Sequence, residues 1–296
     1  MTASLLNLNR WISAARPRTL PLALAPALAG IALGAFQTGH LALPTALVTL
    51  LAAVAIQIGT NLHNDASDFE RGTDTADRVG PQRAAAQGWF TVAQVKRAAH
   101  LAFVIALVLG AFLCLRGGWP ILLLGLASLV AGYAYTGGAH PIAYGPFGEL
   151  FVLLFFGIAA VAGSHYLQTL AWSPTAIGLG PTLGLPAAAV LLLNNYRDRD
   201  TDAQAGRRTL CHYLGPQRAR LLYALLLVMP FPLLFLLDLP GSPWPSLLIL
   251  PLPLVLIRRI QAGEAGLALN PLLGKTAVFE AALVVMLVIG FTWSAA

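Results

Sequence analysis

The sequence predicts an all-α membrane protein in which nine transmembrane helices surround a central cavity. Three observations carry that expectation. Of the 296 residues, 57% are hydrophobic and 10% charged, with a mean hydropathy of +0.73; a soluble domain carries about 25% charged residues. Nine apolar runs approach the roughly 20 residues that a helix needs to cross a bilayer. The basic residues also fall almost wholly on one side when those runs alternate across the membrane.

The runs cover 18–37, 43–64, 95–115, 119–136, 147–169, 174–196, 218–238, 244–261 and 275–294. The first begins near Leu20, and residues 1–16 hold no apolar core of the length that a cleavable signal needs. The second opens on Pro44, the fourth on Pro120 and the sixth on Pro174 with Pro181 behind it, as suits helix starts and kinks. The second and sixth runs each close on an acidic cluster. With the N-terminus in the cytoplasm, all of the 18 Lys and Arg residues except Arg116 lie on the cytoplasmic side. The expected topology is therefore N-in and C-out, with both acidic clusters facing the cytoplasm. The formal charge of +6 is read as anchoring of these loops and not as a nucleic-acid surface. Cys114 and Cys211 fall on opposite sides of the membrane, which argues against a disulfide or a thiolate metal site. Residues 1–296 read as one integral-membrane domain, with a weak repeat dividing it into halves of about 1–145 and 146–296. Oligomeric state is not legible.

Eight of the 12 carboxylates lie in 65–77 and 198–202. The first cluster runs from Asn61 through Asn64, Asp65 and Asp68, the second from Asn194 and Asn195 through Asp198, Asp200 and Asp202. Ionisable groups at the end of a span are costly and mark functional sites. Asn61 precedes Asp65 by four residues, as Asn194 precedes Asp198, and Asp65 and Asp198 are 133 apart. Two matched clusters suggest one site built from two halves. Positions i, i+3 and i+4 share a helix face. Asn61, Asp65 and Asp68 are thus expected to point one way, and Asn194 or Asn195 with Asp198 and Asp202 likewise. Asp200 faces away, and Glu70, Arg71, Asp74 and Asp77 read equally well as solvated loop charges. Carboxylate and amide oxygens suit Mg²⁺, which is commonly shared with substrate phosphates. Arg78, Arg83, Arg197, Arg207 and Arg208 interleave with the acids, and arginine binds phosphate bidentately. The pattern reads as a diphosphate site at a membrane surface, where the natural diphosphate is a lipid one.

The two motifs Asn64-Asp65-x-x-Asp68 and Asp198-x-x-x-Asp202 resemble those of the UbiA superfamily of intramembrane aromatic prenyltransferases. The likeness extends to its MenA branch, which prenylates 1,4-dihydroxy-2-naphthoate. It is carried by Arg16-Pro17-Arg18-Thr19-Leu20-Pro21, Asp77-Arg78-Val79-Gly80-Pro81-Gln82-Arg83, Tyr135-Thr136-Gly137-Gly138, Gly145 to Glu149, Gly163 to Gln168, and Asn194-Asn195-x-Arg197-Asp198 to Leu210. Arg207-Arg208 keeps the charge where a Gly-Lys pair is usual.

The resemblance implies a UbiA-like bundle in the bacterial inner membrane, with the active site on the cytoplasmic side and a polyprenyl diphosphate and dihydroxynaphthoate as substrates. It implies Mg²⁺ on Asp65, Asp68, Asp198 and Asp202 with Asn61 and Asn194, and the diphosphate on Arg78, Arg83, Arg207, Arg208, Asn64 and Asn195. Arg18 is a candidate for the acceptor carboxylate or the diphosphate, His165 and Tyr135 are candidates for the acceptor, and His63, His165 and Tyr166 for its hydroxyl proton. Tyr133, Tyr135, Tyr166, Tyr196 and Phe147 are candidates for the chamber wall. Prenyl transfer to 4-hydroxybenzoate or homogentisate would use the same aspartates. A CDP-alcohol phosphotransferase would carry one contiguous motif instead of two. A cation transporter would place its carboxylates near mid-membrane.

Overall fold

The structure, a computed structural model, describes residues 3–73, 80 and 82–293. Among these residues every regular element is helical. Helix α1 (Ala3–Ala15) leaves Leu6, Leu8 and Ile12 exposed, as suits a helix lying on a membrane surface. Arg16 then takes a left-handed conformation (φ 54°) and Pro17–Thr19 form a 3-10 turn. The chain continues through α2 (Leu20–Thr38), α3 (Leu43–Glu70) and α4 (Val92–Ala134). Helix α5 (Gly148–Val152) passes through a π-helical segment, Leu153–Ala159, into α6 (Ala160–Thr169). Helix α7 (Pro174–Arg197) is followed by the short α8 (Arg199–Gln204), then α9 (Leu210–Val228), α10 (Pro230–Phe235), α11 (Pro251–Gln261) and α12 (Asn270–Trp293).

Seven helical stretches among the described residues are long and apolar enough to cross a membrane. The 43-residue α4 is not one rod. Gly118 has non-helical angles (φ 66°, ψ −156°) and Pro120 follows it. A Cβ built on Gly132 would lie 3.7 Å from the Phe103 ring; Phe103 packs on Gly59 of α3 and Gly132 on the adjacent Thr60. A straight helix would separate residues 103 and 132 by about 44 Å at 1.5 Å per residue. The chain therefore reverses at Gly118, between the third and fourth apolar runs. The eighth run, 244–261, is a 3-10 turn (Trp244–Ile249) leading into α11.

Large apolar side chains stay exposed along the outside, such as Val108, Leu115 and Leu123; they meet lipid instead of water. Inside, small residues let backbones touch. A Cβ on Gly157 would sit 2.5 Å from the Gly180 carbonyl oxygen, and one on Gly30 would sit 2.2 Å from that of Val161. Cys114 and Cys211 are both free thiols.

Candidate active site

A cavity of about 750 Å³ runs through the bundle, within the range of small-molecule sites. Its deep part is apolar, with Leu22, Ala23 and Ala27 of α2, Leu107 and Gly110 of α4, and Phe151, Phe155 and Phe156 around the π-helical segment. Its polar end gathers Asn61, Asn64, Asp68 and Arg83 from the first half of the chain and Asn194, Asn195, Asp198, Asp202 and Arg207 from the second.

The two acidic sets are built alike, with a register the motif spacing disguised. An offset of 134 residues carries Asn61 to Asn195, Asn64 to Asp198, Asp68 to Asp202 and Gly72 to Gly206. Each set ends in the same Schellman turn. Gly72 N–H bonds to the Phe69 carbonyl and Thr73 N–H to that of Asp68; Gly206 N–H bonds to Ala203 and Arg207 N–H to Asp202. Gly72 (φ 71°) and Gly206 (φ 78°) take the left-handed angle that this stop requires. Thus Asn61, Asn64 and Asp68, spaced three and four, form the face turned to the cavity, and Asn195, Asp198 and Asp202 form its counterpart.

Asp65 is the correction to the expected face. It maps onto Arg199, not onto an acid, and it does not line the cavity. One residue after Asn64, it points about 100° away around the helix. Both its oxygens accept backbone N–H groups, from Ala84 at 2.7 Å and Ala85 at 3.1 Å. Asp65 therefore moors the turn that carries Arg83, whose Nη2 lies 3.4 Å from Asp68 Oδ2.

Arg207 joins the halves. Its guanidinium lies 3.7 Å from Asp68 Oδ2 and 3.6 Å from Asp202 Oδ1, and 4.8 Å over the Tyr144 ring. Burial works against its charge, but Asp68 and Asp202 more than offset this and hold it firmly protonated. The Tyr144 hydroxyl donates to Asp68 Oδ1 at 3.3 Å and lies 3.2 Å from Thr73 Oγ1. Arg197 grips Asp198 with two bonds of 2.6 and 2.7 Å, and also bonds Asn194 Oδ1 and Asn270 Oδ1.

The asparagines differ in what they offer. Asn64 Oδ1 accepts from Thr136 at 2.6 Å, which leaves its amide N–H groups for the cavity. Asn61 is spent inside the protein: its Nδ2 bonds Ala15 O and Thr19 Oγ1, and its oxygen takes Gln57. It pins the corner between α1 and α2, and so places Arg16 and Arg18, which line the cavity.

Among the other expected residues, Tyr135 lines the cavity, while Arg208 is exposed and does not. His165 is buried away from the cavity, 2.7 Å from Gln37. His63 stacks on Tyr133, Tyr166 stacks on Trp172, and Tyr196 takes a bond from Arg220. Phe147 is exposed. Arg78, Asp74 and Asp77 lie outside the described residues. Sequence reasoning missed Arg16, Tyr144, Asn270, Glu149 and the three phenylalanines. Arg16 and Glu149 had a signal in the quoted segments; a phenylalanine in an apolar helix had none.

No group of three or more His, Cys, Asp and Glu converges at metal distance among the described residues. The donors that face the cavity are hard oxygens, split between two sides. That chemistry fits Mg²⁺ held by one or two carboxylates and completed by phosphate and water.

Comparison with known proteins bears on this arrangement. The profile of the UbiA prenyltransferase family matches residues 23–266. A 1,4-dihydroxy-2-naphthoate octaprenyltransferase of Mycobacterium tuberculosis is 39% identical over 270 residues, covering 90% of this chain and 91% of that protein. One from Escherichia coli K12 is 37% identical over 276 residues, covering 90% and 89%. Among solved structures, a UbiA homolog from Archaeoglobus fulgidus bound to DMAPP and Mg²⁺ superposes with a TM-score of 0.70 at 18% identity, over 96% of this chain and 99% of that one.

Proposed function

The chain belongs to the UbiA prenyltransferase family, and from that premise we propose that it transfers a polyprenyl group from polyprenyl diphosphate to 1,4-dihydroxy-2-naphthoate. CO₂ is lost and demethylmenaquinol forms, a step of menaquinone biosynthesis. The acceptor is supported by the naming of relatives at 37–39% identity over 90% of the chain. The donor is supported by the one observation that carries the mechanism: Arg207 stands between Asp68 and Asp202 at the polar end of an otherwise apolar cavity.

In this reading Asp68, Asp198 and Asp202 hold Mg²⁺, and Arg83, Arg207 and the Asn64 amide take the diphosphate. Mg²⁺, when bound, neutralises the charge of the diphosphate leaving group. Arg83 and Arg207 add fixed positive charge at the same place, and its pull strengthens as the allylic C–O bond breaks. Arg18 and Tyr135 serve the acceptor. The apolar wall, with Phe151, Phe155 and Phe156, keeps water from the allylic cation and holds the isoprenoid tail.

We also propose nine spans with the N-terminus and the active site on the cytoplasmic face of a bacterial inner membrane, and two structural halves meeting near residue 145. The reversal at Gly118 and the 134-residue offset support these readings. Carboxylates that close helix ends argue against a transporter with mid-membrane ligands.

Purified protein in liposomes, given geranylgeranyl diphosphate, Mg²⁺ and dihydroxynaphthoate, should yield a decarboxylated prenyl-naphthoquinol by mass, abolished by EDTA. Product from 4-hydroxybenzoate alone would move the enzyme to another branch of the family. Product from no aromatic acceptor would refute the reading.

A further inference from the structure

The 134-residue offset that superposes the acidic sets exposes one place where the halves differ. Asn61 and Asn195 are equivalent, and each is tied by its amide nitrogen to the segment preceding or opening the first long helix of its half. Asn61 Nδ2 bonds the Ala15 carbonyl at 3.0 Å, and Asn195 Nδ2 bonds Glu149 Oε1 at 2.9 Å. Residues 15 and 149 are again 134 apart. A neutral backbone carbonyl thus suffices in the first half, where the second uses a carboxylate. Glu149 is only 6% exposed, and its Oε2 is buried with no partner among the described residues. A buried carboxyl group that the fold could replace with a carbonyl is costly to keep, and ionisable groups within spans mark function.

Its effect is to orient Asn195. The Asn195 amide nitrogen donates to Glu149 Oε1, so the amide oxygen turns away from it. Asn195 lines the cavity, and no described residue donates to its Oδ1. Asn64, across the cavity, shows the opposite group, because Thr136 occupies its oxygen. Asn195 therefore presents an acceptor where Asn64 presents a donor. A bare amide oxygen repels diphosphate oxygens, so this reading gives Asn195 to the acceptor where the sequence suggested the diphosphate. It suits a hydroxyl. Tyr135 closes the same side, its hydroxyl 3.5 Å from a Cβ built on Gly148.

We propose that Glu149 is a positioning residue that fixes the Asn195 amide, and that Asn195 Oδ1 receives a ring hydroxyl of the aromatic acceptor. The proposal rests on the function given above. As the ring attacks the allylic carbon, its hydroxyl gains positive character, and an amide oxygen backed by a carboxylate holds it more tightly in that state than before.

The test separates acceptor from donor. Glu149→Gln lets the Asn195 amide turn either way. It should raise the KM for dihydroxynaphthoate or lower kcat, together about 10- to 100-fold in kcat/KM. Binding of farnesyl thiodiphosphate with Mg²⁺ should stay unchanged. In the double variant E149Q/N195D the amide introduced at position 149 donates to one oxygen of the carboxylate introduced at position 195. The other oxygen is left toward the cavity as an acceptor, so this variant should recover most of the loss. If E149Q is not recovered folded, Asn195→Ser should show the same split. Weakened thiodiphosphate binding with an unchanged acceptor KM would overturn the proposal and give Asn195 to the metal or donor; no effect on either substrate would overturn it as well. Wild-type protein that binds no thiodiphosphate would refute the prenyl-diphosphate function itself, and this proposal with it.

Discussion

Arg207 reaches across the cavity to Asp68, 3.7 Å away, although 139 residues separate them in the chain. It also lies 3.6 Å from Asp202, the equivalent of Asp68 in the second half. One guanidinium thus bridges both halves of the polar end, at the place proposed for the diphosphate. Arg207→Ala should lower kcat/KM about 10²- to 10³-fold, the usual cost of removing a charge aimed at a leaving group. Arg207→Lys should recover part of it, since lysine keeps the charge but loses the fork. Steady-state assays with varied prenyl diphosphate decide this.

Asp65 and Asp68 should fail in different ways. Asp68→Asn removes a cavity carboxylate, so activity should fall and the Mg²⁺ concentration needed for half-activation should rise more than about tenfold. Asp65→Asn breaks the pair of backbone bonds to Ala84 and Ala85. Its expected effect is a lower melting temperature, from bonds to a charged group of about 1.5–3 kcal/mol, and a Mg²⁺ midpoint unchanged among the molecules that fold. A shifted midpoint in Asp65→Asn would return it to the metal.

Tyr144 sets an alkaline limit. Burial pushes its phenol above the ordinary value of 10.0, so it remains a donor to Asp68 at neutral pH. The folded state holds this proton more tightly than the unfolded state. Stability is therefore fully present below about pH 10 and falls as pH rises beyond it, because the unfolded chain ionises first. Melting curves between about pH 8 and 11 should decline above about pH 10, and less steeply in Tyr144→Phe.

Gly157 tolerates no side chain. A Cβ there would meet the Gly180 carbonyl at 2.5 Å and the Gly184 Cα at 2.9 Å, and backbone cannot give way as a flexible side chain does. Gly157→Leu should prevent accumulation of folded protein in the membrane. Gly125→Ala, where a Cβ meets nothing within 4 Å, should be neutral. Detergent-solubilised yield by size-exclusion chromatography measures both.

Most of the architecture was legible because a bilayer leaves little choice: apolar runs of spanning length must be helices, and basic loops mark one side. The break at Gly118 fell between two runs for that reason. The acidic clusters were legible because charge is rare in such a chain. Their register was not. Counting from Asn61 to Asp65 pairs residues that share a spacing, whereas the helix end pairs those that share a turn, and only the two Schellman bonds to Asp68 and Asp202 reveal the latter. His165 read as a candidate because polar residues in apolar helices draw notice, yet Gln37 on a neighbouring helix satisfies it.

By itself the sequence determined a multi-helix membrane protein with two Asn/Asp sets and surrounding arginines, since composition, run length and charge placement depend on residues near one another in the chain. Tertiary structure alone decided that Asp65 holds a turn while Asp68 faces the cavity, that Arg207 spans both halves, and that Asn64 and Asn195 show opposite ends of the same amide. Those outcomes depend on which atom lies opposite after helices distant in sequence pack together, and hydrogen-bond direction is fixed only by that partner.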